Sequence, residues 1–347
     1  QEWLGGMGVV ILAVAIMPML GVGGMQLFRA EAPGPVKDKL AARVTETARV
    51  LWELYLGLTV ACALLYGWFG MDGFDAINHA MTTVAIGGFS THDASFAYFH
   101  SAALEIVAIV FMFVAGINFT LHFAALRMRT LRVYWQDDEF RAYVFWLVFA
   151  IAQLAVVVYI LGDGDDPIAL VFNAVSIATT TGFATSDYEL WPQAAVVVMM
   201  ASMYVGACAG STGGGMKVAR FLLLLRQGVR EIKRLIHPHG VVSVKIGGRP
   251  VDYEVRSAVW GFFSLYVASA IAITAILAAT GLDLVTAASA ASACLTNTGP
   301  GFGLVGPTDN YAALPDLAKG VLIFAMILGR LELYTFFVLI SPAFWRE

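Results

Sequence analysis

A run of apolar residues too short to cross a bilayer, ending in glycine-containing backbone, sets the limits on this fold. It begins after an acidic turn (Asp163, Asp165, Asp166) at Pro167, a residue suited to the first turn of a helix. About three apolar turns follow, well short of the roughly 20 residues that span a membrane. The run then breaks into Thr179-Thr180-Thr181-Gly182-Phe183-Ala184-Thr185 and returns to an acidic segment. Long apolar segments flank it on both sides. A short helix that enters a membrane and leaves as extended backbone is a pore loop, because exposed carbonyls at membrane depth are tolerated only along a water or ion path.

The motif repeats. Asn78 to Asp93 has the same form, and aligning Gly88-Phe89-Ser90-Thr91 with Gly182-Phe183-Ala184-Thr185 brings Asp93 opposite Asp187. A looser copy runs from Ala291 through Leu295-Thr296-Asn297-Thr298-Gly299 to Phe302. The intervals between the glycines each fit one inner helix, one connection, one outer helix and one pore helix.

With 59% hydrophobic and only 13% charged residues, the 347-residue chain falls far from soluble composition and reads as an integral membrane protein. Of its 21 Lys and Arg, 18 fall in 29–49, 127–141 and 217–256, which marks those segments as cytoplasmic. The opposite loops are acidic (Asp72, Asp75, Asp93; Asp163, Asp165, Asp166, Asp187, Glu189; Asp283, Asp309, Asp316). They read either as a cation-concentrating vestibule or as topology signal alone. Spans are expected at 4–28, 50–70, 101–126, 142–161, 192–226, 257–280 and 315–340. These seven crossings put the N-terminus of the numbered chain outside and its C-terminus in the cytoplasm. The opening apolar segment has no basic region ahead of it, so it is not a signal peptide and the numbering is expected to begin inside a longer protein.

Span 192–226 is interrupted by Gly206-Ala207-Cys208-Ala209-Gly210-Ser211-Thr212-Gly213-Gly214-Gly215. At about 1 kcal/mol per glycine relative to Ala, that text argues for an unwound loop inside the membrane rather than a helix. It is not a phosphate-binding loop, since Met216 stands where Lys is required and Val218 where Ser or Thr is. In 227–256, Ile232 to Ile236 reads as an amphipathic helix end and Ile246-Gly247-Gly248-Arg249-Pro250 as a tight turn or hairpin. Cys62, Cys208 and Cys294 have no metal spacing, and the six histidines form no metal constellation, with His122 assigned to packing. Nothing argues for an enzyme or for nucleic-acid binding.

These motifs, with the opening Trp3-Leu4-Gly5-Gly6-Met7-Gly8, the run Ala209 to Lys217 and the closing Gly329-Arg330-Leu331-Glu332, resemble the TrkH-type subunits of the Trk/Ktr/HKT potassium-transporter superfamily. The resemblance covers essentially the whole chain. It implies an all-α integral membrane protein of repeated outer helix–pore loop–inner helix units with fourfold pseudo-symmetry, here three full units plus one lone inner helix. The division is 1–28 (inner helix of an otherwise missing first repeat), 29–49 (cytoplasmic linker), 50–129 (second repeat), 130–226 (third, with the broken inner helix), 227–256 (cytoplasmic connection) and 257–347 (fourth).

The implied function is potassium uptake across the bacterial cytoplasmic membrane. Filter carbonyls come by resemblance from Ala85, Ile86, Gly87 and Gly88, from Thr180, Thr181 and Gly182, and from Thr296, Asn297, Thr298 and Gly299. Main-chain oxygens there replace an ion's hydration shell. Lacking a repeated Gly-Tyr-Gly ladder, such a filter is short and modestly selective. Gly210, Ser211, Thr212, Gly213, Gly214 and Gly215 are cast as a mobile gate, against the alternative of a packing kink. Arg330 is read as a pore-facing positive barrier, against a structural pair with Glu105 or Glu53; Glu332 points elsewhere on a helix. The resemblance further implies a homodimer seated on an RCK-type, TrkA-like nucleotide-binding ring, with no cofactor in this chain and nucleotide only on the partner. A proton- or sodium-coupled carrier of a small solute is the competing class.

Overall fold

The computed structural model describes residues 1–11, 44–238, 240, 242–331, 333–342 and 344–345. The rest of the expected first span, most of the 29–49 linker, and Glu332 therefore lie outside the described residues.

The first described helix is α1 (Glu2–Ile11). Next, α2 (Val44–Trp68) rises into the short α3 (Gly73–Ala85), and the chain returns through α4 (Ala102–Ala115), α5 (Phe119–Met128) and the single turn α6 (Arg132–Gln136). The order is then repeated by α7 (Asp138–Ile160), the short α8 (Pro167–Ala178), α9 (Gln193–Val205) and α10 (Val218–Ile236). A hairpin of two-residue strands, β1 (Lys245–Ile246) and β2 (Arg249–Pro250), turns on Gly247 and Gly248, both at positive φ. The third unit is α11 (Tyr253–Ala279), the short α12 (Leu284–Thr296), α13 (Asp316–Arg330) and α14 (Leu333–Ile340). The described residues are thus mostly helical, and Ile246 to Pro250 takes the hairpin form of its two sequence readings.

Among the described residues, three single helices, within α2, α7 and α11, are long and apolar enough to cross a membrane. At 1.5 Å per residue each exceeds the roughly 30 Å hydrocarbon core. Of the other expected crossings, 101–126, 192–226 and 315–340 are interrupted. The 101–126 span is not one helix: α4 and α5 meet at 91°. Asn118 caps the new helix through Thr120 N–H (2.9 Å), while the Gly116 carbonyl accepts from Cys208 N–H and Phe119 N–H donates to Gly210 O, both at 3.0 Å. Backbone groups at the bend thus serve the glycine-rich segment instead of a helix ladder. The 315–340 span likewise breaks after Arg330. Among the described residues α2 runs from Val44, and its membrane-length apolar part begins at Ala48, close to the expected 50.

The three short helices share one device. Asp72, Asp166 and Asp283 each cap the helix that follows, accepting from the N–H of Asp75 (2.7 Å), Ala169 (3.2 Å) and Thr286 (3.0 Å). Each stands sixteen residues before its loop glycine, Gly88, Gly182 or Gly299. Capping of this kind is worth about 1 kcal/mol and fixes where the helix starts. The acidic outer loops therefore have local structural work that neither sequence reading assigned. The buried faces are small and close-packed: every residue from Thr286 to Thr296 except Ala288 is buried, mostly Ala and Ser.

Candidate functional site

Each short helix ends in the same backbone pattern. Ile86 and Gly88 (φ 55° and 71°), Thr180 and Gly182 (66° and 90°), and Asn297 and Gly299 (59° and 102°) lie in the left-handed region, each pair flanking one residue that does not. Three different sequences thus adopt one non-helical conformation. Left-handed backbone costs an L-residue roughly 1–2 kcal/mol, so the side chains at Ile86, Thr180 and Asn297 are held there by their surroundings. Thr181 N–H and Thr298 N–H bond back to Ser176 O (2.7 Å) and Ala293 O (2.8 Å), and Gly87 N–H to Thr82 O (2.9 Å). Hydroxyl pairs brace two of the loops, Thr179–Thr181 at 2.7 Å and Thr296–Thr298 at 2.8 Å.

The loops converge. A Cβ built on Gly88 would collide with the Thr181 carbonyl oxygen, and one on Gly182 with the Thr298 carbonyl oxygen. Only glycine lets the backbones approach this closely. The C-terminal ends of α3, α8 and α12 therefore meet, and each carries about half a negative charge with carbonyls lacking a helical partner. That arrangement attracts cations and offers them main-chain oxygen. Nine of the eleven residues proposed for the filter lie in these three loops, and Ala85 and Thr296 are the last residues of α3 and α12.

The glycine-rich segment between α9 and α10 is non-helical as expected, and it packs against all three loops. Thr212 Oγ1 donates to Val84 O (3.0 Å), Gly214 N–H to Thr180 Oγ1 (2.6 Å) and Gly215 N–H to Thr296 O (3.2 Å). A Cβ on Gly213 would lie 2.8 Å from Thr179 O, and one on Gly214 would strike Thr296 O. Ser211, Thr212 and Gly213 are buried. The buried Glu139, at the start of α7, accepts from Ala209 N–H at 2.5 Å, and Lys217 Nζ donates to Gly213 O.

Arg330 sits at the end of α13, where Gly329 abuts the carbonyl of Leu295 and Asn297 Nδ2 donates to Met326 O at 3.2 Å. Its Nη2 reaches Gly5 O of α1 at 3.5 Å, and Glu2, whose carboxylate lies against Gly87, is the nearby opposite charge. Neither carboxylate considered as its partner is paired with it: Glu53 pairs with Arg49 at 2.8 Å, and Glu105 Oε2 is buried without a bond. Arg330 thus spans from α13 to α1 beside the first and third loops.

Sequence reasoning gave Asp75 only a place in the acidic outer loops and assigned no role to His79, Asn173, Ser289 or Glu139; Asn173, Ser289 and Glu139 bond loop backbone, and Asp75 and His79 bond loop side chains. Asn173 and His79 each lie nine residues before their loop glycine, a signal that aligning the repeats contains. Burial alone would raise the Asp75 carboxyl, but bonds from His92 and Thr91 outweigh it and hold the group below the ordinary carboxylate range. His122 is a packing residue, bonded to Tyr134 OH (2.8 Å) and Val114 O (3.0 Å).

Known proteins place this geometry. The model of the TrkH family, described as cation transport protein, matches residues 1–347. The Trk system potassium uptake protein TrkH of Halomonas elongata is 51% identical over 350 residues, covering all of this chain and 72% of the relative. Its namesake in Escherichia coli (strain K12) is 47% identical, with the same coverage. The crystal structure of the potassium transporter TrkH from Vibrio parahaemolyticus superposes with a TM-score of 0.88 at 44% identity, over 99% of this chain and 71% of that one. On these matches in sequence and fold, the chain belongs to the TrkH family of cation transport proteins.

Proposed function

We propose that this protein is the membrane subunit of a Trk-type potassium uptake system in the bacterial cytoplasmic membrane. Potassium passes a short filter of main-chain oxygens from Ala85–Gly88, Thr180–Gly182 and Thr296–Gly299, and is the cargo rather than a resident cofactor. The relatives' potassium uptake activity supports the choice of ion. The three loops are read as members of a fourfold pseudo-symmetric ring.

The observation that carries the reading is the seating of the glycine-rich segment, bonded at Val84, Thr180 and Thr296 to the ends of all three short helices. A segment centred under converging carbonyls blocks whatever passes between them. Its five glycines and small side chains give its backbone the freedom to move aside once those bonds are released. Arg330 adds an electrostatic barrier on the same path. The basic segments 29–49, 127–141 and 217–256 face the cytoplasm in this reading, as docking surface for an RCK-type nucleotide-binding partner, and the assembly is a homodimer. Potassium-limited growth of an uptake-deficient bacterium tests the whole. Expression of the protein with its cytoplasmic partner should rescue growth, and rescue absent despite folded, membrane-inserted protein would refute the assignment.

A further inference from the structure

The outer limbs of the three loops are held differently. Phe183 and Phe302, which lead the chain away from the second and third loops, are 0% and 1% exposed. Phe89, the counterpart in the first loop, is 68% exposed, and Thr91 beyond it faces solvent. Burial of an aromatic side chain anchors two limbs but not the first.

Polar bonds to α3 take its place. The fully buried His79 meets Asp75 O through Nδ1 and Ser90 Oγ through Nε2, both at 2.9 Å. Asp75, one turn earlier and also buried, accepts from Thr91 Oγ1 at 2.5 Å through Oδ1 and lies 2.8 Å from His92 Nε2 through Oδ2. Tyr98 stacks on the far face of His92 with ring centres 3.5 Å apart. Ser90, Thr91 and His92, immediately beyond Gly88-Phe89, are thus each bonded to one of two side chains on α3. The second loop performs the same task with a neutral group: Asn173 donates to Thr185 Oγ1 (3.2 Å) and Ser186 Oγ (3.0 Å) and accepts from Thr185 N–H (3.3 Å).

We propose that Asp75 is a positioning residue for ion selectivity, its carboxylate gripping Thr91 and His92 to fix the first loop's carbonyls at Ala85–Gly88. The proposal rests on reading those carbonyls as filter. The physical argument is leverage. Gly88 is pressed against Thr181 O on one side, so its position is set by what restrains the backbone on the other: Thr82 Oγ1 holds Phe89 O at 2.9 Å, His79 holds Ser90, and the Asp75 grip fixes the exposed limb at Thr91 and His92. Ion coordination by carbonyls requires placement within about 0.5 Å, which an exposed limb does not supply by itself.

The test is the potassium-to-sodium permeability ratio of the intact transporter in proteoliposomes, with thermal stability measured on the same preparations. The variants are Asp75→Ala, Asp75→Asn, Thr91→Val and, as a benchmark acting directly on the filter, Gly182→Ser. The ratio should fall several-fold in Asp75→Ala and Thr91→Val, and recover in part in Asp75→Asn, which retains an acceptor for Thr91. A folded Asp75→Ala protein with the native ratio, beside a Gly182→Ser protein that has lost it, would overturn the proposal while leaving the filter reading intact. If Asp75→Ala does not fold, the near-isosteric Thr91→Val decides, and a native ratio there overturns it. A native ratio in a folded Gly182→Ser protein would remove the filter reading, and this proposal with it.

Discussion

Two independent constraints exclude a side chain at Gly182. Its φ of 90° is unfavourable for any L-residue, and a Cβ would run into the Thr298 carbonyl oxygen. Gly182→Ser therefore has to move one of two loops, and the expected outcome is lower potassium-over-sodium discrimination in flux assays on folded protein. Arg330 is a different case, because the barrier proposed for it acts through charge. A guanidinium stays protonated at physiological pH. At roughly 8 Å and an effective dielectric of about 20, it opposes a monovalent cation by about 2 kcal/mol, a factor of about 30 in rate before screening. Arg330→Ala should raise rubidium flux by up to that factor, while Arg330→Lys keeps the barrier. If Arg330 instead serves mainly to neutralise Glu2, the Ala variant loses stability with no gain in flux.

At the scale of elements, the start of α7 holds the break in the inner helix and the helix that follows it. Glu139 bonds Ala209 in the glycine-rich segment. Its neighbour Asp138 pairs with Arg226 of α10 at 2.7 Å, accepts from Gly247 N–H of the hairpin at 2.9 Å, and also binds Arg141. Asp138→Ala should cost about 1.5–3 kcal/mol, the range for bonds to a charged group, and loosen α10 and the hairpin first. Hydrogen exchange resolved along α10 checks this, and unchanged protection there would show the contact to be idle. The interruption itself was legible in the sequence because five glycines between Gly206 and Gly215 cannot be reconciled with a stable helix. The bend at Gly116–Asn118 was not. Gly116-Ile117-Asn118 is unremarkable text inside an apolar run, and the helix breaks because Cys208 and Gly210 claim its backbone groups from far along the chain. Likewise, the loops were found from Thr and Gly next to short apolar runs, whereas the residues that hold them, Asp75, His79 and Asn173, read as ordinary polar positions until the repeats are superposed.

For the whole molecule, the account is that three inward-pointing helices gather carbonyls around one path and a single glycine-rich segment closes it. Composition and the sign of the loop charges were enough to place the chain in a membrane; the seating of that segment required coordinates, since its bonds reach Val84, Thr180 and Thr296, which no local pattern links. Shortening the segment within Ala209 to Gly215 separates a barrier from a packing kink. The decisive measurement is rubidium uptake into proteoliposomes containing equal amounts of native and shortened protein, each shown to be folded by its thermal transition. Basal uptake should rise in the shortened protein, with potassium and unlabelled rubidium competing for it as before. Folded shortened protein with the native rate of uptake would contradict the account.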